Sequence, residues 1–235
     1  MSDATVLSML ALGFLLGARH ALDADHIAAV STLLTDHPTW RRSGAVGFWW
    51  GLGHTATLMA VGLAVILFKV SIPERVAETL EFGVGVMLVL LGGSLAVTLV
   101  RERWHVHLHR HDGEAHLHLH SHRLHEDHRH GHWLRPSIRP LLVGMVHGLA
   151  GSAALMLLVL AAVRSAWEGM AYILVFGVGS IAGMVCVGML ICLPLAVSAS
   201  FGRRAHLAIR GLACLGSIGL GLAMILRIGF TAGPF

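Results

Sequence analysis

Long runs without charge divide this chain. No Asp, Glu, Lys or Arg occurs in 43–68, 82–100, 140–163, 169–202 or 211–226. Each run reaches or approaches the ~20 residues that cross a bilayer as a helix. A sixth run, 4–34, is apolar except for a dense polar knot. The pattern predicts an all-α membrane protein with about six transmembrane helices, near 4–34, 44–69, 79–100, 138–163, 169–200 and 205–228. Membrane-spanning strands would instead show alternating segments of ~10 residues.

Composition points the same way. The 235 residues are 55% hydrophobic and 13% charged, where a soluble domain carries about 25% charged residues. The formal charge of +4 does not argue for nucleic acid, because the basic residues sit in loops between spans rather than on one face. Cys186, Cys192 and Cys214 lie inside apolar runs without a pairing pattern, so no disulfide framework is expected. The first run has only Asp3 ahead of it and is too long for a signal h-region, so it reads as a retained span.

Counting Lys and Arg by side gives an orientation. The 1–2, 3–4 and 5–6 loops hold twelve, including seven arginines from Arg101 to Arg139; the opposite side holds Lys69, Arg75, Arg164 and Arg227. The positive-inside rule then places both termini outside and the 3–4 loop in the cytoplasm, across the cytoplasmic (inner) membrane. Trp40, Trp104, Trp133 and Trp167 fall near span ends, as interfacial aromatics do.

The two halves echo one another. Gly17-Ala-Arg-His20-Ala-Leu22 matches Gly144-Met-Val-His147-Gly-Leu149, and Trp50-Gly51-Leu-Gly53-His54 can be laid over Phe176-Gly177-Val-Gly179-Ser180. With three spans per half the copies must insert upside down relative to each other, a 3+3 inverted repeat of the kind transporters use. The expected domains are a first repeat over 1–104, a cytoplasmic histidine-rich loop over 105–135 and a second repeat over 136–235. Small-residue pairs (Gly13/Gly17, Gly47/Gly51, Gly144/Gly148, Gly179/Gly183) recur where the halves would meet, although such pairs are common in membrane helices.

The polar knot, Arg19-His20-Ala-Leu-Asp23-Ala-Asp25-His26, puts five ionisable groups within a membrane run. A charged side chain at a helix centre costs ~2.5–3.5 kcal/mol, which is hard to reconcile with a purely structural role. The bland alternative is a loop at headgroup depth; apolar flanks on both sides (Leu7–Leu16, Ile27–Leu34) argue against it. On a continuous helix His20, Asp23 and His26 share a face spanning about 120°, with Arg19 placed to neutralise Asp23. Asp25 points away, so either it supports another histidine or the helix unwinds there.

His54 and His147 lie in otherwise uncharged runs. A lone membrane histidine is usually an interhelical hydrogen-bonder, but their positions in the repeat, beside the knot and its counterpart, favour ligation. Imidazole with carboxylate suits nickel, cobalt, zinc or copper(II), and suits magnesium or calcium poorly. The candidate transport site is His20, Asp23, Asp25, His26, His54 and His147, with Arg19 as charge partner. Met145, Met156, Cys186 and Cys192 are too scattered for a copper(I) set and read as packing.

Twelve histidines fall in the 28 residues from His105 to His132: His105, His107, His109, His111, His116, His118, His120, His122, His125, His128, His130 and His132. Such a tract cannot build a core and is expected to be disordered without metal and to bind metal when offered it. A solvated linker or a pH-responsive segment is the competing reading.

These residues resemble a known family. His20-Ala-Leu-Asp-Ala-Asp25-His26 resembles the HxxxxDH signature of the nickel/cobalt transporter (NiCoT) family, and Leu52-Gly53-His54-Thr55 resembles its Leu-Gly-His-Ser signature with Thr for Ser. His147-Gly-Leu-Ala-Gly-Ser-Ala-Ala154 is similar to a segment of the shorter urease-accessory-like relatives. The resemblance implies a non-enzymatic permease for Ni2+ or Co2+, with His20, Asp25, His26 and His54 at its motif positions. The acidic motif looks like the uptake branch, whereas the long histidine loop is more like the efflux branch. Uptake is the expected direction, and efflux with the loop capturing cytosolic metal is the alternative. An intramembrane metalloenzyme lacks an HExxH-type base, and a membrane metal sensor leaves the knot unexplained. No catalytic cofactor, nucleic acid or bound ATP is expected, since no P-loop is present. Beyond the ion and the bilayer, a cytosolic metallochaperone and a second copy of the chain stand as partners left open.

Overall fold

The computed structural model describes residues 3–35, 39–69, 72–103, 106–111, 114–119, 135–162 and 165–231. Among the described residues seven helices carry the fold: α1 (Asp3–His20), α2 (Ala24–Leu33), α3 (Trp40–Phe68), α4 (Glu74–Arg103), α5 (Arg135–Ala162), α6 (Ala166–Ser200) and α7 (Arg203–Thr231). Four of them, α3, α4, α6 and α7, are long and apolar enough to cross a membrane. Leu90, Leu212, Leu215 and Phe230 stand 67–84% exposed, a surface that water would not tolerate and lipid would. The protein is an all-α membrane protein.

The first apolar run is two helices rather than one. α1 ends at His20, where Leu22 N–H donates to the Arg19 carbonyl at 2.9 Å and Asp23 N–H to that of His20 at 3.1 Å. Asp23 is extended (φ −62°, ψ 145°) and stands as the N-cap of α2, a position Asp favours because its backbone leaves helical geometry easily. The single continuous face expected for His20, Asp23 and His26 is therefore corrected: the chain turns between them.

α3 opens at Thr39, whose hydroxyl accepts from Arg42 N–H at 3.3 Å, and α6 opens at Ser165 in the same way with Glu168. α3 closes on Lys69 at φ 51°. Gly202, at φ +102°, makes the reversal from α6 into α7, which a residue with a β-carbon would resist.

Packing pairs the halves by exchange. α1 lies against α6 and α5 lies against α3, while α3 meets α6 and α4 meets α7. Glycines set the closeness of these approaches. A β-carbon on Gly17 would run into the Phe176 carbonyl, and one on Gly144 into that of Trp50. One on Gly53 would strike the Leu141 carbonyl, and one on Gly179 that of Phe14. All four small-residue pairs marked in the sequence face a helix of the other half. α4 and α7 are further joined by Ser217 Oγ–H to the Leu88 carbonyl (2.8 Å) and by a two-pronged Arg210–Glu102 pair at 2.7 and 3.0 Å.

In the histidine tract, Val106–His111 (β1) and Glu114–Leu119 (β2) form an antiparallel hairpin, with His107 opposite His118 and His109 opposite His116. His105, His120, His122, His125, His128, His130, His132, Trp104 and Trp133 lie outside the described residues.

Candidate functional site

The break between α1 and α2 delivers the knot to the centre of the helix packing. His54 is the middle residue of α3, and His147 projects from α5 beside it. His26 and His147 are each 2% exposed and His54 is fully buried. His20 and His26 rings approach to 4.6 Å between centroids, His20 and His54 to 5.2 Å, His26 and His54 to 5.5 Å, and His26 and His147 to 4.8 Å. One ligand atom each from His20, His26 and His54 lies within 4.8 Å of the others, close enough to share an ion; Asp23, Asp25 and His26 form a second such group.

The carboxylates divide the work. Asp25 points inward, with Oδ1 3.3 Å from His26 Nδ1 and Oδ2 3.4 Å from His147 Nε2, and its Oδ1 also accepts the His26 backbone N–H at 3.0 Å. Of the two options open for Asp25, both hold: the helix is broken, and Asp25 supports histidines. Asp23 is exposed and pairs with His20 Nδ1 at 2.9 Å. That corrects the expected Arg19–Asp23 pairing; Arg19 faces outward on the last turn of α1.

The donor nitrogens are conspicuous for what they lack. Among the described residues neither ring nitrogen of His26, His54 or His147 has a well-formed hydrogen bond. A buried polar atom left so costs roughly 1–3 kcal/mol; with Asp25 beside His26 Nδ1 and His147 Nε2, four ring nitrogens still lack a partner, and the one lone pair on each neutral imidazole describes a pocket made for something that accepts it. Gly151 supplies the room: a β-carbon there would stand 3.7 Å from His20 Nε2 and 4.0 Å from His54 Cε1. No cysteine joins either donor group among the described residues.

Two aromatic walls went unassigned in the sequence. Trp50 is fully buried, 5.1 Å from the His26 ring and 5.5 Å from that of His147; Phe176 lies 5.6 Å from His20. Trp50 sits one helical turn before His54, a spacing that puts both on one face, so the signal for it was present.

A polytopic helical membrane protein with buried imidazoles gathered from three segments around a half-buried carboxylate is of the metal-ion permease class. The chain belongs to the NicO family, described as high-affinity nickel-transport protein, whose family model matches residues 6–200. It is 39% identical to the urease accessory protein UreH of Bacillus sp. (strain TB-90), over all of this chain and 98% of that protein. It is 33% identical to a high-affinity nickel transport protein of Cupriavidus necator over 31% of this chain and 21% of that protein. It is 42% identical to the cobalt transport protein NhlF of Rhodococcus rhodochrous over 24% of this chain and 16% of that protein. No solved structure matches.

Proposed function

We propose that the chain is an uptake permease that passes Ni2+ or Co2+ through one site formed by His20, Asp23, Asp25, His26, His54 and His147. The observation that carries this reading is the gathering of three buried histidines around the Asp25 carboxylate, with four ring nitrogens (both of His54, Nε2 of His26 and Nδ1 of His147) left without a partner among the described residues. Neutral imidazoles offer lone pairs to a borderline divalent ion, and one or two carboxylates offset its charge where water is scarce. The outer pair, His20 and Asp23, is the more exposed (23% and 55% for the side chains), so it meets the ion first or releases it last.

The exchanged pairing of the helices supports a 3+3 inverted repeat, with six spans once α1 with α2 counts as one and α5 as another. On that frame the domains are 1–104, 105–135 and 136–235. The arginine count supports both termini outside the cytoplasmic membrane and the histidine loop within the cytoplasm. The cross-strand histidines of the hairpin favour a second reading, efflux, in which the loop collects metal from the cytosol.

Radioactive nickel and cobalt flux in cells distinguishes these. Uptake predicts inward accumulation that survives removal of 105–132 and is abolished by His26→Ala in a protein that still inserts. Faster loss from preloaded cells, dependent on the loop, would establish efflux instead.

A further inference from the structure

Trp50 poses a chemical problem that packing does not answer. Its indole Nε1 is buried without an acceptor among the described residues, on a ring that lies 5.1 Å from that of His26 and 5.5 Å from that of His147. The same packing slot exists in the other half. There a glycine of the facing helix (Gly17) meets the carbonyl of Phe176, as Gly144 meets that of Trp50. Each aromatic lies against a histidine of the knot, Phe176 against His20 at 5.6 Å and Trp50 against His26 at 5.1 Å. At the corresponding position of the second half the ring beside a knot histidine carries no donor. The N–H at position 50 is an added group that burial penalises.

An indole N–H donates only; it cannot ligate a cation. Asp25, the carboxylate that stands among these histidines, already has its two oxygens beside His26 and His147. Any imidazole that binds an ion through one nitrogen turns its other nitrogen into a donor as well. The loaded site thus has more N–H donors than protein acceptors, and the balance has to arrive with the ion.

We infer that Trp50 is a positioning residue of the ion site, whose indole N–H donates to an oxygen the ion brings with it, a water or hydroxide kept in its coordination shell. The inference rests on the metal-site reading above and adds to it a hydration state: the ion enters partly dehydrated and keeps at least one oxygen ligand. Phe176 then makes the dry wall of the site and Trp50 the wet one. Ions that hold a water alongside imidazoles are favoured over those content with nitrogen alone.

The test is cobalt binding to the full-length purified protein, read by the visible absorption of Co2+ and by half-saturation. It compares wild type, Trp50→Phe, Trp50→Tyr and His54→Ala. The histidine loop is common to all four, so spectra taken against His54→Ala isolate the buried site. Trp50→Phe is expected to weaken binding about 10- to 100-fold, the range of one hydrogen bond to a charged group, and to intensify the cobalt bands, as loss of an oxygen ligand does. Trp50→Tyr, which keeps a donor, recovers most of the affinity and the original spectrum. Unchanged affinity, weaker binding with an unchanged spectrum, or equal loss in the Phe and Tyr variants would each overturn the role given to the N–H. Wild type and His54→Ala binding cobalt alike would instead remove the site itself.

Discussion

Asp25→Asn is the sharpest probe of the site, because it removes one charge and almost no volume. Asp25 stands between His26 and His147 at 3.3 and 3.4 Å, so an ion held by these histidines lies about 5 Å from its carboxylate. A divalent ion and a unit charge at that distance attract by about 6–7 kcal/mol at an effective dielectric of 20. Asp25 keeps 27% of its side chain exposed, and solvent screening there brings the figure to about 3–4 kcal/mol. That corresponds to a loss of about 100- to 1,000-fold in affinity. The amide also has an NH2 that cannot accept from a histidine N–H, which weakens the orientation of His147. Equilibrium binding of radioactive cobalt to purified protein lacking 105–132, with flux in cells alongside, measures both effects. Asp23→Asn is the control: Asp23 is exposed and paired with His20, and its loss is expected to cost no more than about tenfold. A result in the opposite order, mild for Asp25 and severe for Asp23, would refute the assignment of Asp25 as the inner carboxylate.

Two further outcomes are expected. Gly151→Val places methyl groups in the space between His20 and His54 and should abolish cobalt binding by protein lacking 105–132 while leaving the melting temperature within a few degrees of its parent; retained binding would place the ion elsewhere. Reporter fusions at both termini should report the outside and one at residue 115 the inside; a hairpin found outside would undo the cytosolic role of the loop.

Much of this architecture could be read along the chain because membrane physics leaves few choices. Apolar runs named the helices, and the small-residue pairs Gly13/Gly17, Gly47/Gly51, Gly144/Gly148 and Gly179/Gly183 lay at the contacts between halves. The break at residues 21–23 was less legible. Ala21, Leu22 and Asp23 include no Gly or Pro, and a helix through them violates no local rule; the turn is fixed by packing of α1 on α6 and α2 on α7. The direction of Asp25 followed from that break and was undecidable without it. Trp50 hid in plain view, since an aromatic residue in an apolar run reads as core until its neighbours are known. The hairpin had a signal too: the period-two alternation of His107, His109 and His111 is that of a strand, masked by a composition typical of disorder.

The exchange of partners between halves has a consequence for biosynthesis. Helices emerge in order, and α1 to α4 leave the ribosome before α5 and α6 exist. Until then His54 lacks its neighbour His147, and the grooves at Gly17 and Gly53 have nothing to fill them. Asp25 must wait in the bilayer, or at its edge, without the His147 that later stands beside it. The nascent first half is thus a natural client for the insertion machinery, and a ribosome slowed within the histidine tract would prolong that exposure.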